Sequence, residues 1–404
     1  GAVVLLSASA AAWALTAGRQ PGGSSSAPGA SATGASAAGA STSAAGSPAA
    51  SAATAGAPSV APTTAAAGPP ASTSSPVVRA RPVRRPPTVI EIGWVGDTTP
   101  GSKYGEPPDE GRALFAQVRD ELRAPDLMIA NLEGTYCGPG PSKCDGSDSS
   151  RCFAFRAPPS FAAALRWAGI DLVSLANNHT NDYFARGLAQ TRAALEDNGV
   201  KHAGLPGQIT FVDVRGVSVA VLAFSPYSWN QSLLDLPAAT ALVRKADRRA
   251  DLVVVLMHAG AEGADKTHTP TGSEYAFGEH RGDPRAFAHA VVDAGADLVL
   301  GSGPHVVRGI ERYRRRLIAY SLGNFGGWGN FGIGGTLGLS GLLSVRIASD
   351  GEVRGGRWLS LRLVGPGYPV VDPSHAAARL VARLSAEDFP ATWPMDDKGR
   401  ISAP

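Results

Sequence analysis

The sequence predicts an α/β layered domain with mixed sheets, and three observations carry that expectation. Short apolar runs, such as residues 127–130 and 252–257, alternate with segments of helical spacing. Later runs pair as hairpins across Arg215-Gly216, Arg314-Arg315-Arg316 and Ser349-Asp350-Gly351. Most of the apolar runs end in a short polar motif. These motifs read Gly96-Asp97, Asn131-Leu132-Glu133-Gly134, Asn177-Asn178-His179-Thr180-Asn181-Asp182, His258-Ala259-Gly260-Ala261-Glu262, Gly303-Pro304-His305 and Ser321-Leu322-Gly323-Asn324-Phe325. Ligands of open sheets bind outside the carboxyl ends of the strands, so the six motifs are expected to converge there.

The elements follow in chain order. Residues 1–16 are apolar and uncharged. They read as part of a signal peptide or of a membrane anchor, and they are shorter than the roughly 20 apolar residues of a full span. Residues 17–87 are mostly Ala, Ser, Gly, Thr and Pro, and 24–73 hold neither a charge nor an aromatic ring. Such a stretch buries too little apolar surface to offset the entropy of ordering, so it reads as a disordered linker. Arg79, Arg81, Arg84 and Arg85 at its end read as a solvated junction, with contact to anionic polymer or lipid as the alternative. No stacking aromatics accompany them, and the net charge of the 404 residues is only +3, so a nucleic-acid module is not expected.

The main domain is expected over residues 88–365, with a C-terminal helix and tail over 366–404. Residues 89–95 predict its first strand. Residues 109–122 predict a helix with Leu114, Phe115, Val118 and Leu122 on one face. A strand over 127–130 precedes a helix over 158–168, with Pro159 in its first turn. A strand over 172–176 precedes a helix over 184–198 closed by Gly199. A hairpin over 211–224, a helix over 238–249 and a strand over 252–257 come next. Asp283 caps a helix over 283–294 with Pro284 at its first position. Strands follow over 298–300, 306–313, 317–321, 341–348 and 353–363, and a last amphipathic helix over 372–384. The Gly-rich residues 325–341 are expected to form a mobile flap.

Cys137, Cys144 and Cys152 fall in a loop rich in Gly, Pro, Ser and Asp. Three widely spaced thiols do not make a structural zinc site. A Cys144–Cys152 disulfide is expected, which accords with export and leaves Cys137 free.

The polar motifs each admit two readings. Asp97 is a hard ligand or a cap for the turn at Thr98-Thr99-Pro100. Glu133 at the mouth of a buried strand needs a cation, a substrate group or an ion pair. Asn178 offers a carbonyl oxygen to a metal, with His179 beside it as a general acid and Asp182 to orient that ring; the plainer reading is an Asn-rich turn. His258 and His305 hold the same relative place on two strands, which favours a shared role as metal ligands over two separate core-edge histidines. Glu262 is a partner for the second nitrogen of His258 or a substrate contact. Asn324 either fastens a loop backbone or points into the site as a substrate contact.

Taken in order, GDTTPG, NLEGT, ANNHTND, HAGAE, GPHVVRGIE and YSLGNF resemble the CapA (PgsA) family of capsule or poly-γ-glutamate synthesis proteins. That family is similar in fold to the calcineurin-like metallophosphoesterases, and the resemblance runs over residues 89–363. It implies a four-layer α/β/β/α sandwich. It also implies Asp97 as the first acidic ligand, Glu133 between two metals, Asn178 with His179 as the Asn-His element, and His258 and His305 as imidazole ligands. The implied cofactor is one or two divalent ions, Mn, Fe or Zn. Two departures stand out: Thr99 replaces the His of Asp-x-His, and Gly303 replaces the first His of Gly-His-x-His. Each removes an imidazole from one of two metal positions, leaving one ion, a weakly held pair or none as alternatives.

The implied function is synthesis, release or anchoring of an anionic capsular polymer of the poly-γ-glutamate type by an extracytoplasmic, membrane-anchored or secreted protein. Metal-dependent hydrolysis of an amide or phosphoester is the implied chemistry. The implied partners are that polymer, the membrane through the N-terminal segment, and capsule-synthesis membrane proteins. A non-catalytic polymer-binding or assembly subunit, and a general metallophosphoesterase, are the alternatives.

Overall fold

The structure, a computed structural model, describes residues 87–147 and 152–403. The expected anchor segment, all but the last residue of the expected linker, and Arg79, Arg81, Arg84 and Arg85 lie outside the described residues.

The chain lays down a first sheet, then a second, then returns to the first. Strands β1 (Val89–Thr98), β2 (Leu127–Leu132), β3 (Leu172–Ser174) and β4 (Lys201–Ala203) are parallel neighbours. The second sheet then forms from β5 (Thr210–Val214), β6 (Val217–Phe224), β7 (Leu252–His258), β8 (Leu298–Ser302), β9 (Ile310–Tyr313) and β10 (Arg316–Ala319). Its spatial order is β9-β10-β8-β7-β6-β5, with antiparallel pairs at both edges. Strands β11 (Asn324–Gly326), β12 (Leu339–Ala348), β13 (Val353–Val364), β14 (Tyr368–Val371) and β15 (Arg400–Ile401) rejoin the first sheet. That sheet runs β14-β13-β12-β1-β2-β3-β4, with β11 parallel to β1 and β15 against β13.

Three apolar clusters define four layers. Between the sheets, Ile90, Ile92, Trp94 and Ile129 of one meet Val219, Val221, Val254 and Leu300 of the other. On the outer face of the first sheet, Val95, Met128 and Val173 pack under Phe115, Leu165 and Leu195. Leu165 comes from helix α1 (Ala163–Ala168) and Leu195 from α2 (Phe184–Asp197). On the outer face of the second sheet, Val253, Val255 and Val299 pack under α3 (Leu236–Asp247) and α4 (Pro284–Asp293). The expected α/β/β/α sandwich with mixed sheets is the fold. Helix α5 (Ala376–Asp388) inserts Val381 and Leu384 into the core between the sheets. No helix among the described residues is long and apolar enough to cross a membrane.

Several elements differ from expectation. Residues 109–122 are not one helix but two 3₁₀ segments, Asp109–Leu114 and Ala116–Val118, followed by Arg119–Leu122. Glu110 and Gly111 take left-handed φ values of 51° and 88°, which interrupts the hydrogen-bond ladder. Leu114, Phe115, Val118 and Leu122 are nevertheless all buried, so their spacing reports a core face and not a continuous helix. The strand expected over 306–313 begins only at Ile310. The last helix starts later than expected because Asp372 turns the chain, accepting from the amides of Ser374 and Ala376. The Gly-rich residues 325–341 are fastened in both halves: Trp328 O accepts from Ser102 Oγ at 2.7 Å, Gly329 N donates to Pro366 O at 2.8 Å, and Thr336 Oγ1 donates to Ala264 O at 2.6 Å. Cys144 and Cys152 are joined, with Cα atoms 5.5 Å apart, and Cys137 is free and buried.

Candidate metal centre

The site begins at the end of β1, where the strand must pass hard against the β10–β11 connection. A Cβ on Gly96 would collide with the carbonyl oxygen of Gly323, so this position accepts only glycine. The contact sets Asp97, whose amide donates to the same carbonyl at 3.1 Å. Asp97 Oδ1 accepts from Asn131 Nδ2 at 2.8 Å, and Asn131 Oδ1 accepts from Asn177 Nδ2 at 3.1 Å. The ends of three parallel strands are thereby tied side by side.

Glu133 follows β2 and is fully buried. Both of its carboxylate oxygens lack a hydrogen-bond partner. A buried carboxylate in that state is unfavourable by several kcal/mol. Burial, then repulsion from Asp97, pushes its pKa well above the usual carboxylate range. Asp97 goes the other way: burial raises it, but the rings of His305 and His258 and the Asn131 amide together hold it below its usual value.

His258 closes β7 with no exposed side-chain surface. Its Nδ1 lies 3.7 Å from Asp97 Oδ1 and its Nε2 3.8 Å from Glu133 Oε1. Asp97, Glu133 and His258 can thus point one ligand atom each at a common centre. Burial drives the His258 pKa well below 6.5 despite Asp97, which keeps the imidazole neutral and able to ligate. Asn131 Nδ2 at 3.3 Å and Ser302 Oγ at 3.2 Å flank its Nδ1, and Glu262, one of whose two expected roles was to partner His258, pairs instead with Arg281.

His305 reaches the same centre from a left-handed backbone, φ 60°. Its Nδ1 is 2.8 Å from Asn324 Oδ1 and 3.2 Å from Asp97 Oδ2, and its Nε2 is 3.5 Å from Glu262 and 3.8 Å from Glu133. Burial alone would lower its pKa, but Glu133, Glu262 and Asp97 raise it to about 10. In this arrangement the ring is a cation among carboxylates. Asn324 fastens backbone, one of its two expected readings: Nδ2 donates to His305 O at 3.2 Å, while Oδ1 meets the His305 ring.

His179 is held at one side. Its Nδ1 meets Asp182 Oδ2 at 2.8 Å, Phe155 covers the ring with centroids 4.2 Å apart, and Nε2 is left for another group. Burial lowers its pKa, partly offset by Asp182. Asp182 is itself fixed by Phe155 N at 2.6 Å and by Lys143 Nζ at 2.7 Å. Asn178 is half-buried, and its Oδ1 is an acceptor without a partner.

The donors of Asp97, Glu133 and His258 therefore fit a divalent cation. Carboxylate and neutral imidazole are among its usual ligands, and the partnerless oxygens of Glu133 are the atoms that such an ion would satisfy.

Two charged residues were not foreseen in the sequence. Arg281 is 1% exposed. Its Nη1 donates to Glu262 and, at 2.9 Å, to Tyr227 Oη. Its Nη2 lies 3.4 Å from His258 Nε2 and 3.3 Å from Gly303 O. A two-residue hairpin, Tyr275–Ala276 with Glu279–His280, delivers it, and Gly260 N donates to its carbonyl at 3.0 Å. Lys143 comes from the cysteine loop. Neither follows an apolar run, the signal that marked the other residues. Thr99, one of the two departures, turns away to donate to Asn330 Oδ1 at 3.1 Å.

Known proteins resemble this chain in sequence more than in overlay. A capsule biosynthesis protein CapA of Bacillus anthracis is 33% identical over 53% of this chain and 54% of its own length. A PGA biosynthesis protein CapA of Bacillus subtilis (strain 168) is 27% identical over 59% and 64%. The chain thus spans less than two thirds of either relative. A crystal structure of a 5'-nucleotidase precursor from Thermus thermophilus overlays with a TM-score of 0.40 at 14% identity, over 74% of this chain and 59% of that one. The family described as bacterial capsule synthesis protein PGA_cap matches residues 91–326, more than half of the chain. Every side chain assembled at the strand ends, from Asp97 to Asn324, lies inside that match, and the chain belongs to the PGA_cap family of bacterial capsule synthesis proteins.

Proposed function

We propose that this protein is an exported accessory factor in the synthesis, release or anchoring of an anionic capsular polymer of the poly-γ-glutamate type, and that it hydrolyses a bond of that polymer at the strand-end site. The family and the printed names of the two CapA relatives support the polymer class. The apolar N-terminal residues and the Ala/Ser/Pro-rich stretch after them support export and tethering at a membrane. The observation that carries the chemistry is the buried Glu133 carboxylate without a hydrogen-bond partner, ringed by Asp97, His258 and His305.

Asp97, Glu133, Asn178, His258 and His305 would hold a divalent cation, Mn, Fe or Zn, which when bound supplies Lewis-acid polarisation and a nucleophile at neutral pH. Asp182 fixes the His179 tautomer with the proton on Nδ1, so Nε2 faces the substrate as the proton-handling atom. Because burial keeps this ring neutral, it accepts a proton first and then returns it to the leaving group. Phe155 shields the ring and shuts water from that side. Glu262, set by Arg281, and Asn324, set against His305, border the place where substrate would lie.

A non-catalytic polymer-binding subunit is the second reading, favoured by Thr99 bonding to Asn330 and contributing nothing to the ligand group. One experiment separates them. The full chain, loaded with Mn²⁺, is incubated with poly-γ-glutamate and the polymer length is followed by size exclusion. Hydrolysis should shorten the polymer, and His179→Ala should slow it by about 10²–10⁴-fold. Unchanged polymer in the presence of bound metal would leave the binding reading standing and remove the catalytic one.

A further inference from the structure

We infer that Arg281 is a built-in second cation of this site and limits it to a single divalent ion. The inference rests on the cation site proposed above.

The first ground is where the guanidinium lies. It is buried to 1% exposure, yet its Nη2 approaches the Nε2 of His258, the imidazole that completes the Asp97–Glu133–His258 group. Guanidinium N–H groups donate and never ligate a metal. Beside His258 the chain therefore places a fixed positive charge, which a second ion would have to face at close range. Glu262, the nearest further carboxylate, is already taken by Arg281 Nη1.

The second ground is the lack of room for another ligand. Gly303 has φ +111°, and a Cβ there would stand 3.0 Å from Ala259 N and 3.2 Å from His258 Cδ2. The Gly303 carbonyl accepts from Arg281 Nη2 at 3.3 Å. A side chain at 303 would crowd the Ala259 backbone and the His258 ring, so the cluster gains no further ligand there.

The third ground is charge. Asp97, Glu133 and Glu262 bring three carboxylates to the cluster, and Arg281 brings one positive charge. With imidazoles neutral, as ligands must be, one divalent ion balances the cluster. A second would leave two positive charges in excess in a dry site, where such an excess is strongly opposed. Glu279, 3.7 Å from Arg281, is half-exposed and is paired outward with Tyr227.

The test counts ions on the full chain. Chelator-treated protein is saturated with Mn²⁺, freed of excess, and measured by plasma mass spectrometry and by electron paramagnetic resonance. Wild type and Arg281→Lys should hold one ion per chain and show the hyperfine sextet of an isolated Mn²⁺. Arg281→Met, which keeps bulk and removes charge, should hold two, with its fold checked by circular dichroism. Two ions in wild type, or one in both wild type and a folded Arg281→Met, overturns the inference. Should Arg281→Met not fold, the wild-type spectrum decides alone, because an exchange-coupled multiline signal contradicts a single ion. No ion in any variant overturns the cation site itself and this inference with it.

Discussion

At the scale of single residues, the site balances its buried carboxylates with a protonated ring. Without a cation, His305 supplies positive charge to Glu133, Glu262 and Asp97, which is why its pKa rises to about 10. A group whose folded pKa is raised contributes stability below its unfolded value, and that contribution fades as pH climbs through the folded value. Glu133 belongs to the same linkage, because its carboxylate is the first of the charges that raise His305 against burial. The metal-free chain should therefore melt at progressively lower temperature from about pH 6.5 to pH 10, and His305→Gln should flatten the slope. Thermal melts in chelator across that range check it, and a wild-type profile without slope would rule out the charged His305. The chemistry of these residues was legible in the sequence because each ends an apolar run. Arg281 was not legible, since its partners are fixed by tertiary approach of a short hairpin and not by any local pattern.

At the scale of elements, the site depends on how two sheets meet. Trp94 on β1 is buried in the core between them, and its indole N–H donates to Gly301 O on β8 at 3.1 Å. That hydrogen bond ties the strand carrying Asp97 to the strand that leads into His305. Trp94→Phe keeps an aromatic ring and leaves the Gly301 carbonyl without its partner, which should cost about 1–3 kcal/mol of stability. Urea unfolding of the chelated full chain measures it, and a change near zero would mean that the bond does not hold the sheets in register. The central strands were readable because both their faces are covered. Every residue of β7 is buried, so it reads as an unbroken apolar run. The 109–122 region was misread for a related reason: its buried positions keep helical spacing while Glu110 and Gly111 turn the backbone left-handed. Strands of two residues, such as Tyr275–Ala276, are too short to show any period.

At the scale of the whole domain, the ligand set joins what the chain builds separately. Asp97 lies near the end of β1, and Glu133 and Asn178 follow β2 and β3 of the first sheet, whereas His258 closes β7 and His305 follows β8 of the second. An ion bound by both groups would have no comparable site in the unfolded chain, so its binding free energy adds to the stability of the fold. At a hundredfold excess of Mn²⁺ over its Kd the gain is about 2.7 kcal/mol. Because the ligands span both sheets, the gain should appear in the main cooperative transition and not as the ordering of one loop. Glu133→Gln separates this from general salt effects. It removes a buried carboxylate that has no hydrogen bond but also one of the charges facing His305, so the two effects oppose and the chelated variant should melt close to chelated wild type. The same variant should lose the rise on adding Mn²⁺, because its amide is a far weaker ligand than the carboxylate. Scanning fluorimetry of both proteins, with chelator and with Mn²⁺, reads all four states. A chelated Glu133→Gln that melts well below wild type would show that Glu133 is held by the protein alone, and an equal Mn²⁺ response in both would place the ion elsewhere.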